Sequence, residues 1–334
     1  MISTQAILNS DRLALARLLT RVENDSPEGR TALIELFPHT GRAHLIGVTG
    51  APGTGKSSLV NQLALHFRKT EDKRVAIVAV DPSSPFTGGA VLGDRVRMRD
   101  LSGDPGVFIR SMASRGSLGG LAQATANIVQ VFDAAGFDII IVETVGAGQS
   151  EVDIARLAHT TLVVEAPGLG DDIQAIKAGI LEIADILVVN KADRPGVENT
   201  EKALKSMLEL AHPTARVFKH HGTYMNVSMP EPSADARLWI PPIQRTVATE
   251  GRGIPELAQA IARHVEHLRS SGDWTLRERT RLEVEMEALI RDTLMTRFRE
   301  DIPPQRYEEV LEKVVQRNIS PWEAVRRLLN GRLE

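Results

Sequence analysis

The hydrophobic positions of this chain change their spacing twice along its length. Residues 4–36 carry apolar side chains at mixed three- and four-residue spacings, which predicts helices, including a second short helix over 28–36. From residue 44 to about 268, short apolar runs alternate with helical segments. Runs such as 75–80 and 139–142 lack polar alternation, which predicts strands buried on both faces of a largely parallel sheet. The predicted strands are 44–49, 75–80, 107–110, 138–143, 161–165, 186–190 and a last one near 243–247.

The C-terminal sequence, from residue 273 onward, is charged and helical. Its apolar residues recur at helical spacing on both sides of a break at 302–304, which predicts two or three amphipathic helices outside the central domain. Such faces need a partner, and periodicity alone leaves open an intramolecular cap or a dimerisation arm. The segment 220–242 is rich in Pro, Gly, Ser and His, which predicts an extended loop. We expect a helical extension over 1–40, a central domain over 41–270 and a helical arm over 271–334.

The composition is that of an ordinary globular protein. The 334 residues are 42% hydrophobic and 25% charged, and the net charge of −3 gives no reason to expect nucleic acid or an anionic membrane as a partner. The chain has no cysteine, which excludes disulfides, thiolate metal sites and cysteine nucleophiles, and fits a cytoplasmic location. No signal peptide or transmembrane helix is expected, since no apolar run approaches about 18 residues.

Residues 50–57 read Gly-Ala-Pro-Gly-Thr-Gly-Lys-Ser and match the phosphate-binding pattern G-x-x-x-x-G-K-S. The motif lies between a predicted strand and a predicted helix, as its chemistry requires. Its glycines let backbone N–H groups surround phosphate oxygens, Lys56 supplies positive charge to the β- and γ-phosphates, and Ser57 can ligate Mg²⁺. The sequence thus predicts an α/β P-loop NTPase. The nucleotide-binding residues predicted here are Gly50, Ala51, Pro52, Gly53, Thr54, Gly55, Lys56, Ser57 and Ser58.

A second motif, Asn190-Lys-Ala-Asp193, follows the predicted strand 186–190 and matches the N-K-x-D guanine reader of P-loop GTPases. The Asp193 carboxylate can accept hydrogen bonds from the guanine N1–H and amino groups, which adenine does not offer. Asn190 can bond the N7/O6 edge, and the Lys191 stem can lie on the ring. The pattern therefore favours GTP over ATP. The usual Ser-Ala of the second guanine loop appears as Thr246-Val-Ala248, where the Ser is missing but the Ala248 N–H could still reach the guanine oxygen.

Acidic residues follow the predicted strands that neighbour the phosphate loop. Glu143-Thr-Val-Gly146 occupies the D-x-x-G position with Glu in place of Asp, and the Gly146 N–H can sense the γ-phosphate. Asp81 and Asp94 bracket a Pro/Ser/Gly segment after the second strand. Hard oxygen ligands suit Mg²⁺. The predicted Mg²⁺ ligands are Ser57, Asp81, Asp94 and Glu143.

Three arginines, at 95, 97 and 99, follow Asp94 directly. One of them could stabilise charge in the transition state, although a solvated start of a basic helix explains them equally well. Gln149 does not occupy the place where many small GTPases keep their water-orienting glutamine, so we expect slow intrinsic hydrolysis. A further loop over 167–177, rich in Gly and Asp, is predicted at the same sheet edge.

Several of these stretches together resemble the MeaB/ArgK-type GTPases, which include the mitochondrial MMAA protein. The resemblance covers about 40–330 and is weaker over 212–238. Trp239-Ile-Pro-Pro242 also fits it. The stretches that carry it are Gly47–Ser57, Asp81-Pro-Ser-Ser-Pro, Thr87-Gly-Gly, Leu92-Gly-Asp-Arg95, Glu143–Glu151 and Gly170–Gly179.

The resemblance implies a GTPase chaperone of an adenosylcobalamin-dependent acyl-CoA mutase, most often methylmalonyl-CoA mutase. Such proteins gate cofactor loading and protect the mutase. They are typically homodimers through a C-terminal helical arm, so the resemblance favours a dimerisation arm over an intramolecular cap. By the same resemblance 81–99 is switch I, 143–151 is switch II and 167–179 is a third switch facing the mutase. It implies coupling roles for Arg97, Asp171 and Lys177. The expected catalytic set is Lys56, Asp94, Arg97, Glu143, Gly146 and Lys177.

Other functions stay open at this point. Nickel metallochaperone GTPases are structural cousins, but they usually carry Cys-Pro-His or His-rich segments, and here His220-His221 is an isolated pair. A kinase of transport proteins is an older description of ArgK relatives, and no H-R-D loop supports it. A scaffold that binds GTP without turnover is excluded only by assay. Methylmalonyl-, ethylmalonyl- and isobutyryl-type mutases all remain possible partners.

Overall fold

The computed structural model describes residues 3–82, 98–101, 103–114, 120–144, 150–168, 183–211, 216–220, 223–227 and 238–329. The chain forms two compact units, Met1–Arg281 and Leu282–Glu334. The boundaries at 40/41 and 270/271 that the sequence suggested stay a prediction.

The first unit is built on a seven-stranded sheet in which every neighbouring pair is parallel. The strand order is β3-β2-β4-β1-β5-β6-β9. All six residues of β1 and of β4 are buried, which is why these strands read as continuous apolar runs. The predicted fold class is confirmed. The strands of the described residues are β1 His44–Thr49, β2 Val75–Pro82, β3 Val107–Ser114, β4 Ile139–Thr144, β5 Thr160–Glu165, β6 Ile186–Val189, β7 Arg216–His220, β8 Thr223–Val227 and β9 Ile243–Arg245.

Helices cover both faces of the sheet. The helices are α1 Thr4–Leu8, α2 Arg12–Glu23, α3 Pro27–Leu36, α4 Lys56–Glu71, α5 Gly120–Ala134, α6 Ser150–Leu157, α7 Val197–Ala211, α8 Ile254–Ser271, α9 Asp273–Asp301, α10 Pro304–Val315 and α11 Pro321–Leu329. Short 3₁₀ turns lie at Phe37–His39 and Arg99–Leu101.

The N-terminal helical stretch has a break that the spacing did not predict. Ser10 adopts a left-handed backbone, with φ +61°. Asp11 then caps α2, because its side chain accepts a hydrogen bond from the Ala14 N–H at 2.8 Å. The stretch therefore forms three helices, the last of which matches the predicted helix over 28–36.

Two large apolar clusters lie on opposite faces of the sheet. On one face α4 and α8 pack on the central strands, through residues such as Leu59, Leu63 and Ile261. On the other face the N-terminal helices and α5 pack together, through residues such as Leu18 and Phe132. This packing fixes the strands so that the residues following them meet at one edge.

The expected loop over 220–242 is wrong in its first part. Strands β7 and β8 form an antiparallel hairpin in which Arg216 pairs with Val227 and His220 pairs with Thr223. The physical reason is that 223–227 reads Thr-Tyr-Met-Asn-Val, whose β-branched and aromatic residues favour a strand. The Gly, Ser and Pro content that suggested a loop lies mostly beyond 227, and 228–237 falls outside the described residues.

The second unit holds most of α9 together with α10 and α11. Its small core contains Ile302, Val310, Ile319, Ala324 and Leu328. Many apolar side chains of this unit are exposed: Val284, Met286, Leu289, Ile290, Leu294, Met295, Tyr307, Leu311, Val315, Trp322, Val325 and Leu329. In the part of the chain that the structure describes, no helix is long and apolar enough to cross a membrane.

Candidate functional site

The phosphate-binding motif forms a tight loop between the end of β1 and the start of α4. Gly50 has φ +139°, and a Cβ at this position would lie 2.1 Å from the Val164 carbonyl oxygen, so only glycine fits against β5. Gly55 has φ +93° and precedes the first residue of α4. The loop therefore ends at a helix N-terminus, whose backbone N–H groups and helix dipole favour an anion.

Lys56 is the first residue of α4 and is only 6% exposed. Its ammonium folds back over the loop, where Nζ donates to the carbonyl oxygens of Gly50 at 2.8 Å and Ala51 at 3.0 Å. A buried positive charge is costly without such partners. The site thus holds a buried cation against the loop at the start of α4, and a phosphate group needs such a positive charge.

Ser57 and Glu143 meet at the same sheet edge. The Ser57 hydroxyl donates to Glu143 Oε1 at 2.7 Å, and Glu143 is 5% exposed near the end of β4. Strand β2 lies next to β4, and Val80 pairs with Thr144. The backbone of Asp81 follows Val80 and so lies at the same end of the sheet as Glu143. The structure brings a hydroxyl and a carboxylate together, and both are oxygen ligands of the kind Mg²⁺ prefers.

Asn190 joins three loops of the site. It follows β6, is 2% exposed, and its Nδ2 donates to the Thr54 carbonyl oxygen at 2.8 Å. Its Oδ1 accepts hydrogen bonds from the Thr246 hydroxyl and the Ala248 N–H, both at 3.1 Å. The phosphate loop, the β6 end and the segment after β9 are therefore held in one geometry. Contacts of Asn190 and Ala248 with guanine stay a prediction, and here these two residues bond each other.

Lys191 and Asp193 follow Asn190 in the N-K-x-D motif. Lys191 has a left-handed backbone, φ +57°, and its Nζ donates to the Gly53 carbonyl oxygen at 2.5 Å. Its stem passes Gly55, where a Cβ would be 3.7 Å from Lys191 Cε. Asp193 is exposed. The Lys191 methylene chain can contact the face of a guanine ring, and the exposed Asp193 carboxylate can accept hydrogen bonds from its donor edge.

Two residues in predicted segments make hydrogen bonds that the sequence patterns did not predict. The Thr246 hydroxyl donates to Asn190 Oδ1, and the Thr54 carbonyl oxygen accepts from Asn190 Nδ2. The sequence predicts Thr54 as a nucleotide-binding residue and Thr246 as the first residue of the second guanine loop, but neither motif indicates a contact with Asn190.

Several predicted site residues lie outside the described residues: Asp94, Arg97, Gly146, Asp171 and Lys177. The backbone of Asp81 is described, but its side chain is not. In the ranges given above, no group of three or more His, Cys, Asp or Glu side chains could hold a metal ion by itself. The proposed Mg²⁺ ligands are therefore placed only in part.

Comparison with known proteins decides the family. The family described as methylmalonyl Co-A mutase-associated GTPase MeaB matches residues 15–302. This chain belongs to the MeaB family. It is accordingly a GTPase, and its P-loop fold binds guanine nucleotide.

The relatives agree with this membership along nearly the whole chain. One from Pyrococcus abyssi is 45% identical over 319 residues, covering 96% of this chain and 92% of the relative. GTPase ArgK of Escherichia coli is 33% identical over 331 residues, covering 98% and 94%. The Caenorhabditis elegans methylmalonic aciduria type A homolog, mitochondrial, is 30% identical over 308 residues, covering 88% and 73%.

A solved structure supports the fold. The crystal structure of a LAO/AO transport system kinase matches with a TM-score of 0.69 and 27% identity, covering 99% of this chain and 96% of the other.

Proposed function

We propose that this GTPase is a chaperone of an adenosylcobalamin-dependent acyl-CoA mutase, with methylmalonyl-CoA mutase as the partner. In this role it gates cofactor loading and protects the mutase from inactivation. The observation that carries the proposal is the match of 15–302 to a family described by its association with that mutase. The name of the Caenorhabditis elegans relative points to the same metabolism. A cytoplasmic location stays a prediction from the sequence.

The phosphate loop performs the first step, which is binding of the GTP phosphates. Their oxygens take the place of the Gly50 and Ala51 carbonyls as partners of the Lys56 ammonium. The exchange is favourable because an ammonium binds charged phosphate more strongly than neutral carbonyl groups. The N-terminus of α4 adds its backbone N–H groups and its helix dipole. Both interactions grow in strength as charge develops on the transferred group.

Mg²⁺ fits the adjacent oxygen donors. Ser57 Oγ and Glu143 Oε1 are 2.7 Å apart, and the end of β2 brings Asp81 to the same edge. We assign Ser57, Asp81, Asp94 and Glu143 to this ion. When bound, it neutralises charge on the β- and γ-phosphates. Glu143 and Ser57 would then exchange their mutual hydrogen bond for metal ligation or a bridging water.

Guanine selection rests on Asn190, Lys191 and Asp193. The exposed Asp193 carboxylate accepts from the two guanine donors, and the Lys191 stem supports the ring. Asn190 acts by holding the three loops in register, through the hydrogen bonds described above. Gly146 is assigned to sensing the γ-phosphate through its N–H. Arg97, Asp171 and Lys177 are assigned by family resemblance to coupling with the mutase.

The second unit supplies the proposed homodimer contact. Its exposed apolar side chains include Met286, Leu289 and Ile290 on α9. A contiguous apolar surface of this kind on a water-soluble helix is stabilised when a second copy covers it. A symmetric pair of arms satisfies both faces at once, because a two-fold interface uses the same patch on each subunit.

A kinase activity is the second candidate, because the solved relative at 27% identity is named a LAO/AO transport system kinase. The two functions differ in where the γ-phosphate goes. With γ-labelled GTP, a GTPase releases all of the label as inorganic phosphate. A kinase would leave label on a protein acceptor.

The proposal is tested by binding to purified mutases. Methylmalonyl-CoA mutase from the same organism is titrated with this protein loaded with GDP or with a non-hydrolysable GTP analogue, and affinity is read by calorimetry. We expect a complex whose affinity differs at least about tenfold between the two states, a coupling of about 1.4 kcal/mol. Absence of binding to every adenosylcobalamin-dependent acyl-CoA mutase of that organism would reject the proposal.

A further inference from the structure

Histidine and tryptophan side chains gather at the amino ends of the central strands, at the opposite edge from the nucleotide site. We call this group the histidine cluster, and it consists of His44, His159, His264, His267, Trp239 and Trp274. It holds four of the nine histidines in the chain. His44 begins β1, and His159 immediately precedes β5. The nucleotide chemistry uses none of these residues, so their concentration here needs another explanation.

The hydrogen bonds of His159 fix it as a neutral ring. The Leu45 backbone N–H donates to His159 Nδ1 at 3.1 Å, so Nδ1 carries no proton. The proton is therefore on Nε2, which donates to Glu278 Oε1 at 2.5 Å. If Nδ1 also carried a proton, its N–H would point at the Leu45 N–H, and two donors cannot hydrogen-bond each other. Protonation of His159 is thus incompatible with the contact between this ring and β1.

A second chain of polar contacts links His44 and His264 through Thr160. His44 Nε2 lies 2.8 Å from the Thr160 hydroxyl, which lies 2.9 Å from His264 Nδ1. His264 Nε2 in turn faces Asp185 Oδ1 at 3.2 Å. The Thr160 hydroxyl has one hydrogen, so it donates to one of these two rings and accepts from the other.

The first turns of α9, residues 273–281, close over this cluster. Trp274 stacks on His159 with ring centroids 4.0 Å apart. Arg277 donates to both carboxylate oxygens of Asp185 and to the His159 carbonyl oxygen, each at 2.8 Å. Glu278 accepts from His159 and from Arg281. The contact of these turns with the strands therefore runs largely through His159 and Asp185.

Burial is the main factor that opposes protonation of His159 and His44. Burial lowers the pKa of His159. The hydrogen bond to Glu278 raises it, and the positive charges of Arg281 and Arg277 lower it. Burial, followed by His159, His264 and Arg269, lowers the pKa of His44 well below its ordinary value, with Asp185 acting against them. His267 faces Asp273 at 4.0 Å, on the rim of the cluster.

The two carboxylates next to the cluster, Asp185 and Glu278, do not titrate in the pH range of a histidine. Burial alone would raise the pKa of Asp185, but hydrogen bonds from His264 and Arg277 bring it to about 2. Burial likewise opposes the hydrogen bonds from His159 and Arg281 that bring the pKa of Glu278 to about 2. Near pH 5.5 both remain ionised, so a change there comes from neither of them.

We propose that the histidine cluster is a proton-sensitive clasp, in which a second proton on His159 breaks its bond to Leu45, moves the ring away from β1, and thereby loosens residues 273–281, whose Trp274 stacks on that ring. A histidine that is neutral when closed binds more protons when open. The clasp is therefore fully closed above the open-state pKa of about 6.5 and weakens as pH falls below it. The device is independent of the proposed mutase partner.

Hydrogen exchange of the full-length protein, read by mass spectrometry, tests the clasp. After correction for intrinsic exchange rates, protection of peptides covering 273–281 is compared at pH 7.5 and 5.5. We expect it to fall about tenfold, since pH 5.5 is one unit below the open-state pKa of one histidine. Peptides from α4 should keep their protection. Unchanged protection over 273–281, or an equal fall in every peptide, would overturn the proposal.

A matched pair of variants assigns the effect to one residue. His159→Gln offers an acceptor and a donor like the neutral ring but takes no proton in this range, so its 273–281 protection should stay within about twofold between the two pH values. His39→Gln, at an exposed histidine outside the cluster, should behave as the natural chain does. A tenfold fall that persists in His159→Gln would contradict the assignment. Should that variant not fold, the comparison on the unaltered chain still decides.

Discussion

At the scale of single residues, Asn190 shows how a recognition motif also serves as structure. Its side chain makes short hydrogen bonds to Thr54, Thr246 and Ala248 from a buried position. The N-K-x-D pattern could be found in the sequence, and so could its place after a strand. The partners could not, because they lie 136 and 56–58 residues away along the chain.

We expect Asn190→Ala to lower the free energy of unfolding by about 2–4 kcal/mol, because it leaves buried donors and acceptors unpaired. Asn199→Ala, at an exposed position of α7, is the matched control and should change it by less than about 0.5 kcal/mol. Chemical denaturation of both variants measures the difference. Equal stabilities would contradict the role given to Asn190.

Asp193 carries the base specificity in this account. Asp193→Asn removes the charged acceptor of two guanine donors, so affinity for GTP should fall about a hundredfold. Xanthosine triphosphate, which presents a carbonyl where guanine has an amine, should gain affinity. Titration with both nucleotides measures the exchange, and an unaltered GTP affinity would remove Asp193 from the site.

At the scale of secondary-structure elements, the sequence predicted the strands of the parallel sheet well, because burial on both faces leaves a clear apolar run. It missed the β7–β8 hairpin, because Gly and Pro residues near its short strands favour a loop prediction. It also missed the break between α1 and α2, which depends on a left-handed Ser10. The histidine cluster could not be predicted, since it joins residues as distant as His44 and Trp274.

The fit of the phosphate loop against β5 gives a prediction at this scale. Gly50→Ala places a Cβ 2.1 Å from the Val164 carbonyl oxygen, so the loop must move away from the strand and GTP affinity should fall at least about tenfold. Gly41 also has positive φ, but a Cβ there meets nothing within 4 Å. Gly41→Ala therefore controls for backbone strain, and nucleotide titration should show no comparable loss. Equal losses in both variants would contradict the steric explanation.

At the scale of the whole molecule, the exposed apolar side chains of the second unit bear on assembly. Ile290→Glu puts a charge on the proposed contact, and we expect it to convert dimers to monomers in sedimentation velocity. Ala288→Glu adds the same charge roughly 160° away from Ile290 around α9, by the 3.6-residue turn, and should leave the dimer intact. A dimer that persists in Ile290→Glu would place the interface elsewhere.

The central claim is that the nucleotide state of this GTPase controls the cofactor state of a mutase. Its most direct measurement is the rate at which apo-methylmalonyl-CoA mutase takes up adenosylcobalamin, followed by visible absorption. With this protein present, the rate should differ at least about tenfold between GTP and a non-hydrolysable analogue, and Lys56→Ala should abolish the difference while Lys69→Ala, at the exposed end of α4, should not. Identical uptake in every nucleotide state, with and without the protein, would contradict the account.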